Sequence, residues 1–319
     1  MSAREFSIIE RYFKSISNPS KYENSVVLGP GDDCAVLRVP DGMELCVSTD
    51  TLLEGVHFLP NSPAKVVVSR TMGANLSDLA AMGASPYAFL LAMTFPEVRE
   101  DWLDDFSMTL SEIIEQYQVP LVGGNLSKGP LSLTVTIMGT VPAGSAIKRT
   151  GASAGDHIYV TGTLGDAARG LELSRNGETD GYLVSRYQFP DARIAAGRRL
   201  RGLAKSLIDI SDGLVAEIGH LTESDTLGAE IAASELPLSN ELLQSAGEDS
   251  AIRMALFSGD DYELCFTADP ADSVDIKAVS DSLDLQMTRI GVVTDDGEIV
   301  IRDSKGEPMK FAGAGYEHF

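Results

Sequence analysis

Oxygen-bearing side chains are concentrated at one point of the chain, Ser48-Thr49-Asp50-Thr51, directly after the apolar run Leu45-Cys46-Val47. Three hydroxyls and a carboxylate where a strand is predicted to end are poor material for a hydrophobic core. They suit a hard divalent cation, which takes oxygen ligands. The same residue types form Asx and Ser/Thr turns, so this stretch alone leaves both a turn and a cation site open.

Further carboxylates lie at predicted strand ends, in glycine-rich turns and in a helix rich in small residues: Asp32, Asp33, Asp78, Asp209 and Asp212. Each could be a turn former or a helix cap, and Ser211-Asp212-Gly213 before an apolar helix has good capping chemistry. If the fold gathers them, they repel one another unless a cation neutralises them. The pattern leaves clustering and scattering both open.

The overall charge limits the class of partner. The chain of 319 residues carries 47 acidic and 25 basic residues, for a net charge of −22. An acidic surface repels nucleic acid, whose binding depends on Lys and Arg contacts to phosphate, so no nucleic-acid partner is expected. A free nucleotide would also be repelled, and divalent cations would have to bridge the like charges. Solubility alone is an alternative reason for the acidity.

Cysteine usage and hydropathy predict a cytoplasmic protein. The three cysteines are far apart and form no C-x-x-C pair, which favours a reducing compartment over a disulfide framework or a zinc site. The N-terminal residues lead into an amphipathic helix predicted over residues 4–17 and not into a signal peptide. No apolar run approaches the ~20 residues of a membrane span, so no membrane partner is expected.

Hydrophobic periodicity predicts two α/β-type domains, an N-terminal domain over residues 1–142 and a C-terminal domain over 150–319, separated by a segment rich in small residues. In the first, residues 34–37 and 45–47 are predicted to pair through the turn Pro40-Asp41-Gly42.

Gly123-Gly124-Asn125 follows a predicted strand and could offer backbone N–H groups to a phosphate, although a plain glycine-rich loop is the alternative. Walker A, D-F-G, H-E-x-x-H and G-x-S-x-G motifs are absent from the sequence.

A phosphorylated substrate would explain why no catalytic base stands out. An attacking phosphate oxygen is already ionised at neutral pH, so the protein needs only to position it and to neutralise charge.

Six motifs and the C-terminal tail, taken in order, resemble the thiamine-monophosphate kinase family. They are Gly31–Val36, Ser48–Phe58, Asn75–Ala84, Gly123-Gly124, Asp209–Leu214, Gly259–Leu264 and Gly315–Phe319. The resemblance implies the two-domain fold shared with aminoimidazole ribonucleotide synthetase and a homodimer built through the N-terminal domains. It also implies transfer of a phosphoryl group from ATP to thiamine monophosphate, assisted by several Mg²⁺ ions.

The resemblance also implies roles for individual residues. Those implied as metal ligands are Asp33, Ser48, Thr49, Asp50, Asp78, Asn125, Asp209 and Asp212, of which Asp50, Asp78 and Asp212 are expected to act in catalysis. Those implied as ATP contacts are Gly124, Asn125, Arg149 and Ser211. His57, Asp260 and Tyr316 are expected to contact the thiamine substrate.

Two positions depart from the family pattern. Asn125 stands where the family usually has Asp, and Asp260 in Ser258-Gly259-Asp260 stands where Gly-Gly-Glu is usual. Asn offers one neutral carbonyl oxygen, which can still serve as a ligand but compensates less charge. Two alternatives therefore accompany the kinase hypothesis: a low-activity paralogue that binds nucleotide or thiamine phosphate, and another ATP-dependent synthetase of the same superfamily.

Overall fold

The computed structural model describes residues 7–14, 16–17, 19–223 and 226–309. The chain divides into two compact units, of which the first ends at Gly144 and the second begins at Ser145 and also includes the short segment Ala80–Gly83. Each unit mixes strands and helices. Within the described ranges, no helix is both long and apolar enough to cross a bilayer.

The first unit contains six strands, two α-helices and two short helical turns among its described residues. The strands are β1 (Val26–Leu28), β2 (Val36–Leu37), β3 (Met43–Leu53), β4 (Ser85–Phe95), β5 (Leu121–Lys128) and β6 (Ser132–Pro142); the helices are α1 (Ala64–Ala81) and α2 (Glu100–Tyr117). Ile9–Lys14 forms a π-helical turn and Pro19–Tyr22 a 3₁₀ turn. Gly83 follows α1 at φ 65°, a left-handed backbone that suits glycine at the end of a helix.

Four strands of this unit form one sheet in the order β3-β6-β4-β5, antiparallel except for the parallel pair β4 and β5. One face packs against α1: a Cβ built on Gly139 of β6 would lie 2.8 Å from the Leu79 side chain of that helix. Residues of β6 that point to this face, such as Val135 and Ile137, are fully buried. We call it the helix face of the sheet, and we call the opposite side the open face.

Three predictions in this unit are wrong in detail. β2 pairs with β1, whereas β3 pairs with β6, so the predicted hairpin through Pro40-Asp41-Gly42 does not form. β3 continues to Leu53, so Ser48–Thr51 lies within a strand and not in a turn after it. β5 likewise runs through Gly123-Gly124, which is therefore not a loop. The predicted helix over 4–17 begins outside the described residues; of its described part, residues 7–8 are α-helical and Ile9–Lys14 forms the π-helical turn.

The second unit contains the strands β7 (His157–Thr161), β8 (Ala204–Asp209), β9 (Gly228–Ala232), β10 (Leu264–Ala268), β11 (Met287–Thr294) and β12 (Ile299–Arg302). Its α-helices are α3 (Asp166–Arg175), α4 (Tyr182–Gln188), α5 (Ile194–Leu200), α6 (Leu214–Leu221), α7 (Asn240–Ala246), α8 (Glu248–Phe257) and α9 (Ser273–Leu283). Short 3₁₀ turns occupy Ala233–Glu235 and Pro270–Asp272.

The six strands of this unit form one sheet in the order β12-β9-β11-β7-β10-β8, in which only β12 and β9 are parallel. Its core contains apolar side chains of the strands, such as Val160 of β7 and Ile208 of β8, packed with Leu214 and Ile218 of α6 and with Leu256 of α8. Because β8 and β10 pair with Asp209 opposite Leu264, the segments that adjoin these two residues, 210–212 and 259–263, run side by side.

Candidate active site

Ser48, Asp50 and Asp78 meet on the helix face of the four-stranded sheet. Alternation along β3 turns Ser48 and Asp50 to the same side, and α1 brings Asp78 over them. Ser48 Oγ donates a hydrogen bond of 2.5 Å to Asp78 Oδ2. Burial raises the pKa of Asp50, and a side-chain hydrogen bond with Asp78 opposes that rise. The structure thus holds two carboxyl groups and a hydroxyl in contact, an arrangement stabilised by a shared proton or by a cation.

Thr49 and Asn125 lie on the open face of the same sheet. Thr49 Oγ1 donates to the Val135 carbonyl oxygen at 3.0 Å and lies 3.1 Å from Thr136 Oγ1. Asn125 is exposed, and its Nδ2 lies 3.4 Å from Ser127 Oγ on the same strand. The side chain of Thr49 therefore does not join those of Ser48 and Asp50, because consecutive strand residues point to opposite faces. A metal contact from Thr49 on the helix face would have to come from its main chain.

A turn directly after β3 fixes His57. The Leu53 amide donates to His57 Nδ1 at 3.1 Å, so the neutral imidazole carries its proton on Nε2. Arg70, which is buried, donates through Nε to the His57 carbonyl oxygen at 2.8 Å. Backbone and ring are therefore both held, and Nε2–H serves as a hydrogen-bond donor of defined direction.

Gly124 is required by the backbone of β5. Its φ is +157°, and a Cβ at this position would lie 1.8 Å from the Leu91 carbonyl oxygen of β4. Any side chain would push the two parallel strands apart. The glycine thus permits the close strand pairing that places its neighbour Asn125 at the edge of the sheet.

Asp33 and Arg149 are both exposed. The Asp33 amide donates to Asp32 Oδ1 at 3.0 Å in the turn before β2. Arg149 follows Lys148, whose carbonyl oxygen accepts from the Leu207 amide of β8 at 3.0 Å. Arg149 is thereby placed beside the strand that ends at Asp209.

Three more predicted residues surround the end of β8 in the second unit. Asp209 is the last residue of the strand and is buried. Ser211 accepts, through its carbonyl oxygen, a hydrogen bond of 3.0 Å from the Asp260 amide. The expected capping of α6 by Asp212 is wrong, because Gly213 occupies the N-cap and no side chain caps there. That leaves the Asp212 carboxylate out of the helix cap and consistent with a ligand role.

Among the described residues, no group of three or more His, Cys, Asp and Glu side chains lies close enough together to hold a metal ion. The predicted acidic ligands form smaller sets: Asp50 with Asp78 in the first unit, and the residues around β8 in the second. Tyr316 lies outside the described residues. The individual ligand and substrate roles remain predictions.

Two buried glutamates next to the predicted residues were not singled out from the sequence. Glu217 lies in α6 and Glu263 directly precedes β10, and both are almost completely buried. One signal was available for Glu217, since a carboxylate in the otherwise apolar run Leu214-Val215-Ala216-Glu217-Ile218 needs partners if the helix is buried. Glu263 lay inside a recognised motif but had no assigned role.

Comparison with known proteins identifies the family. Residues 31–141 match the family AIR synthase related protein, N-terminal domain, and residues 153–304 match its C-terminal domain. The thiamine-monophosphate kinase of Escherichia coli (strain K12) is 43% identical over 327 aligned positions, which cover 100% of this chain and 99% of that protein. The chain belongs to the thiamine-monophosphate kinase family. This confirms the predicted two-domain fold and, at the level of the family, the prediction of a thiamine-phosphate kinase.

Solved structures of this family have the same fold. The thiamine-monophosphate kinase of Stenotrophomonas maltophilia superposes with a TM-score of 0.87 at 39% identity, over 97% of this chain and 99% of that one. AaThiL complexed with AMPPCP and TMP superposes with a TM-score of 0.77 at 31% identity, over 100% of this chain and 99% of that one. The match therefore extends over both units.

Proposed function

We propose that this protein transfers the terminal phosphoryl group of ATP directly to thiamine monophosphate, giving thiamine diphosphate and ADP. The observation that carries the proposal is full-length membership of a kinase family in which a relative is solved with AMPPCP, an ATP analogue, and TMP. The alternative of another synthetase of the superfamily is disfavoured, because the full-length relatives named above are all kinases of this one kind.

The residues of the first unit fit a divalent cation such as Mg²⁺. Ser48, Asp50 and Asp78 offer only oxygen donors, and two carboxyl groups in contact need a positive charge or a proton between them. By the family resemblance we assign further metal-ligand roles to Asp33, to Asn125 on the open face and to the main chain of Thr49 in the first unit, and to Asp209 and Asp212 in the second unit. Bound divalent cations would neutralise the charge of the phosphates and of the transferring group.

The chain's own residues then have to position two anionic substrates. The terminal oxygen of thiamine monophosphate is already ionised, so no side chain has to remove a proton from it. We assign His57 Nε2–H and Asp260 to the thiamine substrate, and Gly124, Arg149 and Ser211 to ATP. Tyr316 is assigned to the thiamine substrate by the family pattern alone. In-line transfer requires only that these contacts align the attacking oxygen with the terminal phosphorus of ATP.

The deciding experiment is formation of thiamine diphosphate from ATP, thiamine monophosphate and MgCl₂, followed by chromatography. Product that depends on all three supports the kinase; no product at any millimolar concentration of Mg²⁺ refutes it. A chain that binds thiamine monophosphate in calorimetry without turnover is the low-activity paralogue. Turnover of ATP that needs a different acceptor identifies another synthetase.

A matched pair of variants on β3 tests the helix face. Ser48→Ala removes the hydroxyl that donates to Asp78, and we expect kcat/KM to fall about tenfold, as for loss of one hydrogen bond to a charged group. Thr51→Val removes a hydroxyl that pairs with Thr134 on the open face, and less than a twofold change is expected. Equal losses in both variants would place the chemistry elsewhere than on the helix face.

A further inference from the structure

Two neighbouring segments of the second unit are each fastened by a separate buried glutamate. We propose that Glu217 positions the segment Ser211-Asp212, and that Glu263, held by Arg186 and Arg193, positions the turn Asp260–Tyr262. This rests on the proposed function, in which the first segment serves ATP and its metals and the second serves thiamine monophosphate. The two glutamates and two arginines would then be positioning residues, each acting on one substrate.

The first anchor is Glu217 of α6. Its Oε1 accepts from the Ser211 amide at 3.3 Å, from Ser211 Oγ at 3.2 Å and from the Asp212 amide at 3.1 Å. The helix N-cap, Gly213, supplies no side-chain cap, so Glu217 satisfies these amides from inside the helix. The Ser211 hydroxyl and the backbone that carries Asp212 are thereby fixed from one side.

The second anchor is Glu263, whose side chain is 1% exposed. Arg193 binds it through two nitrogens, with Nε at 2.7 Å from Oε2 and Nη2 at 2.5 Å from Oε1. Arg186 Nη2 and Thr161 Oγ1 donate to the same carboxylate at 2.8 and 2.7 Å. A Cβ on Gly162 would lie 2.2 Å from Glu263 Oε1, so the carboxylate fills all the space there. The two parallel hydrogen bonds fix the geometry of this buried pair. Removal of either partner would leave the other charge buried and unpaired, which is strongly destabilising.

The turn Asp260–Tyr262 has a backbone conformation that needs support from neighbouring residues. Asp260 and Tyr262 have φ values of 73° and 50°, a left-handed backbone that residues with a Cβ rarely adopt. The Tyr262 hydroxyl donates to Asp260 Oδ1 at 3.3 Å and so orients the half-buried carboxylate. Without Glu263, the next residue along the chain, this conformation would relax and the Asp260 carboxylate would move.

The two segments touch but do not share an anchor. The Asp260 amide donates to the Ser211 carbonyl oxygen at 3.0 Å, and the Tyr262 amide donates to that of Ile210 at 2.9 Å. A Cβ on Gly259 would lie 1.9 Å from the Ser211 carbonyl oxygen. The Glu217 side chain bonds the first segment directly, whereas the Glu263 carboxylate is bonded to Arg186, Arg193 and Thr161 and holds the second segment through the chain, as the residue after Tyr262. Substitution of the two side chains should therefore affect the two substrates separately.

The experiment compares both substrates in both sets of variants. For Arg193→Lys, which keeps a charge but loses the two-nitrogen contact, we expect KM for thiamine monophosphate to rise about tenfold and KM for ATP less than twofold. For Glu217→Ala, which removes the acceptor of all three bonds from Ser211 and Asp212, we expect the reverse, with KM for ATP raised. Tyr262→Phe, which keeps the packing of the ring, should raise only KM for thiamine monophosphate. Arg302→Met is the matched control, because it breaks an exposed ion pair with Glu230 at the opposite edge of the sheet.

Calorimetric titration with thiamine monophosphate and with AMPPCP repeats the comparison without turnover, after circular dichroism has shown each variant to be folded. Equal weakening of both ligands in the Arg193→Lys or the Glu217→Ala protein, or no weakening at all, overturns the proposal. If Arg193→Lys does not fold, Tyr262→Phe decides in the same way. A wild-type protein that makes no thiamine diphosphate refutes the proposed function instead, while ligand-selective binding losses would still support the two anchors.

Discussion

Asn125 stands where the pattern implied by the family resemblance has an aspartate, and its side chain lies on the open face near the edge of the four-stranded sheet. Exposure means that replacing the amide by a carboxylate costs little in desolvation. In a chain of net charge −22, another negative charge is useful only where a cation binds. A substitution at this position can therefore show whether Asn125 is an ordinary edge residue or a metal ligand that lacks one negative charge.

Asn125→Asp should lower the Mg²⁺ concentration that gives half-maximal rate, by about threefold to tenfold for one added ligand charge at a partly solvated site. The measurement is initial rate against free Mg²⁺ at saturating substrates. Ser127→Asp is the control, since it adds the same charge to the same face of β5 two residues further on. If the two variants respond alike, the effect is general electrostatics and Asn125 does not contact a metal.

Residue types were sufficient to propose oxygen ligands at Ser48, Asp50 and Asp78, and the structure brings these three together. They were not sufficient to place Thr49, because the predicted strand ended at Val47 and alternation could not be applied beyond it. The true length of β3 is evident only once its partner strand β6 is known, and the paired residues are 79 to 99 positions apart in the sequence. Side chains whose role depends on such a pairing are not predictable from local pattern.

Helix α3 begins at a buried carboxylate from a distant part of the chain. Asp261 Oδ2 accepts from the Gly165 amide at 2.7 Å, and Oδ1 lies 3.4 Å from the Ala167 amide. Complete burial raises the pKa of Asp261 to about 8, although the Gly165 amide and the Arg186 guanidinium both oppose the rise. The first turn of α3 is thus hydrogen-bonded to the loop that carries Asp260 and Tyr262.

The raised pKa of Asp261 makes the stability of the second unit depend on pH. The folded chain retains a proton that the unfolded chain gives up above the ordinary value of 3.8, so this contribution is fully present below that value and is lost as pH rises towards 8. Asp261→Asn, which stays neutral, should flatten the decline in unfolding free energy between pH 5 and 8. Urea titrations at several pH values measure it. Unchanged slopes would show that the amides and Arg186 keep Asp261 ionised throughout.

Elements with strong local signals were predicted close to their observed bounds. The sequence pattern predicts a helix over about 62–82, a helix over 99–117 and a strand over 299–302, which correspond to the observed α1, α2 and β12. The wrong predictions concern segments whose residue composition favours a local structure other than the observed one. Glycines at 123 and 124 favour a loop locally, but they are tolerated in β5 because parallel β4 pairs along it and approaches too closely for a side chain. Tertiary pairing, and not propensity, decides such segments.

At the scale of the whole molecule, an apolar surface on the open face of the first unit is unexplained by a single chain. Leu45, Val47 and Leu53 of β3 and Leu90 of β4 are 41%, 60%, 40% and 37% exposed, and all four point to the open face. Several exposed apolar side chains on one face of a sheet are typical of an interface between proteins. This supports the homodimer that the family resemblance implies for the N-terminal unit, with a second copy of the chain as the occupant.

The substitution Val47→Lys tests that dimer. Two chains of net charge −22 repel each other, so a lysine reduces the repulsion while it places a charge on the apolar surface. Loss of association in this variant would therefore be due to the apolar contact and not to charge. We expect the wild-type chain to sediment at twice the chain mass in analytical ultracentrifugation, and Val47→Lys to shift towards a monomer. Val274→Lys, which replaces a valine that is 76% exposed on α9 of the second unit, should leave the dimer intact. A monomeric wild-type protein, or equal behaviour of the two variants, would rule out the open face as the dimer interface.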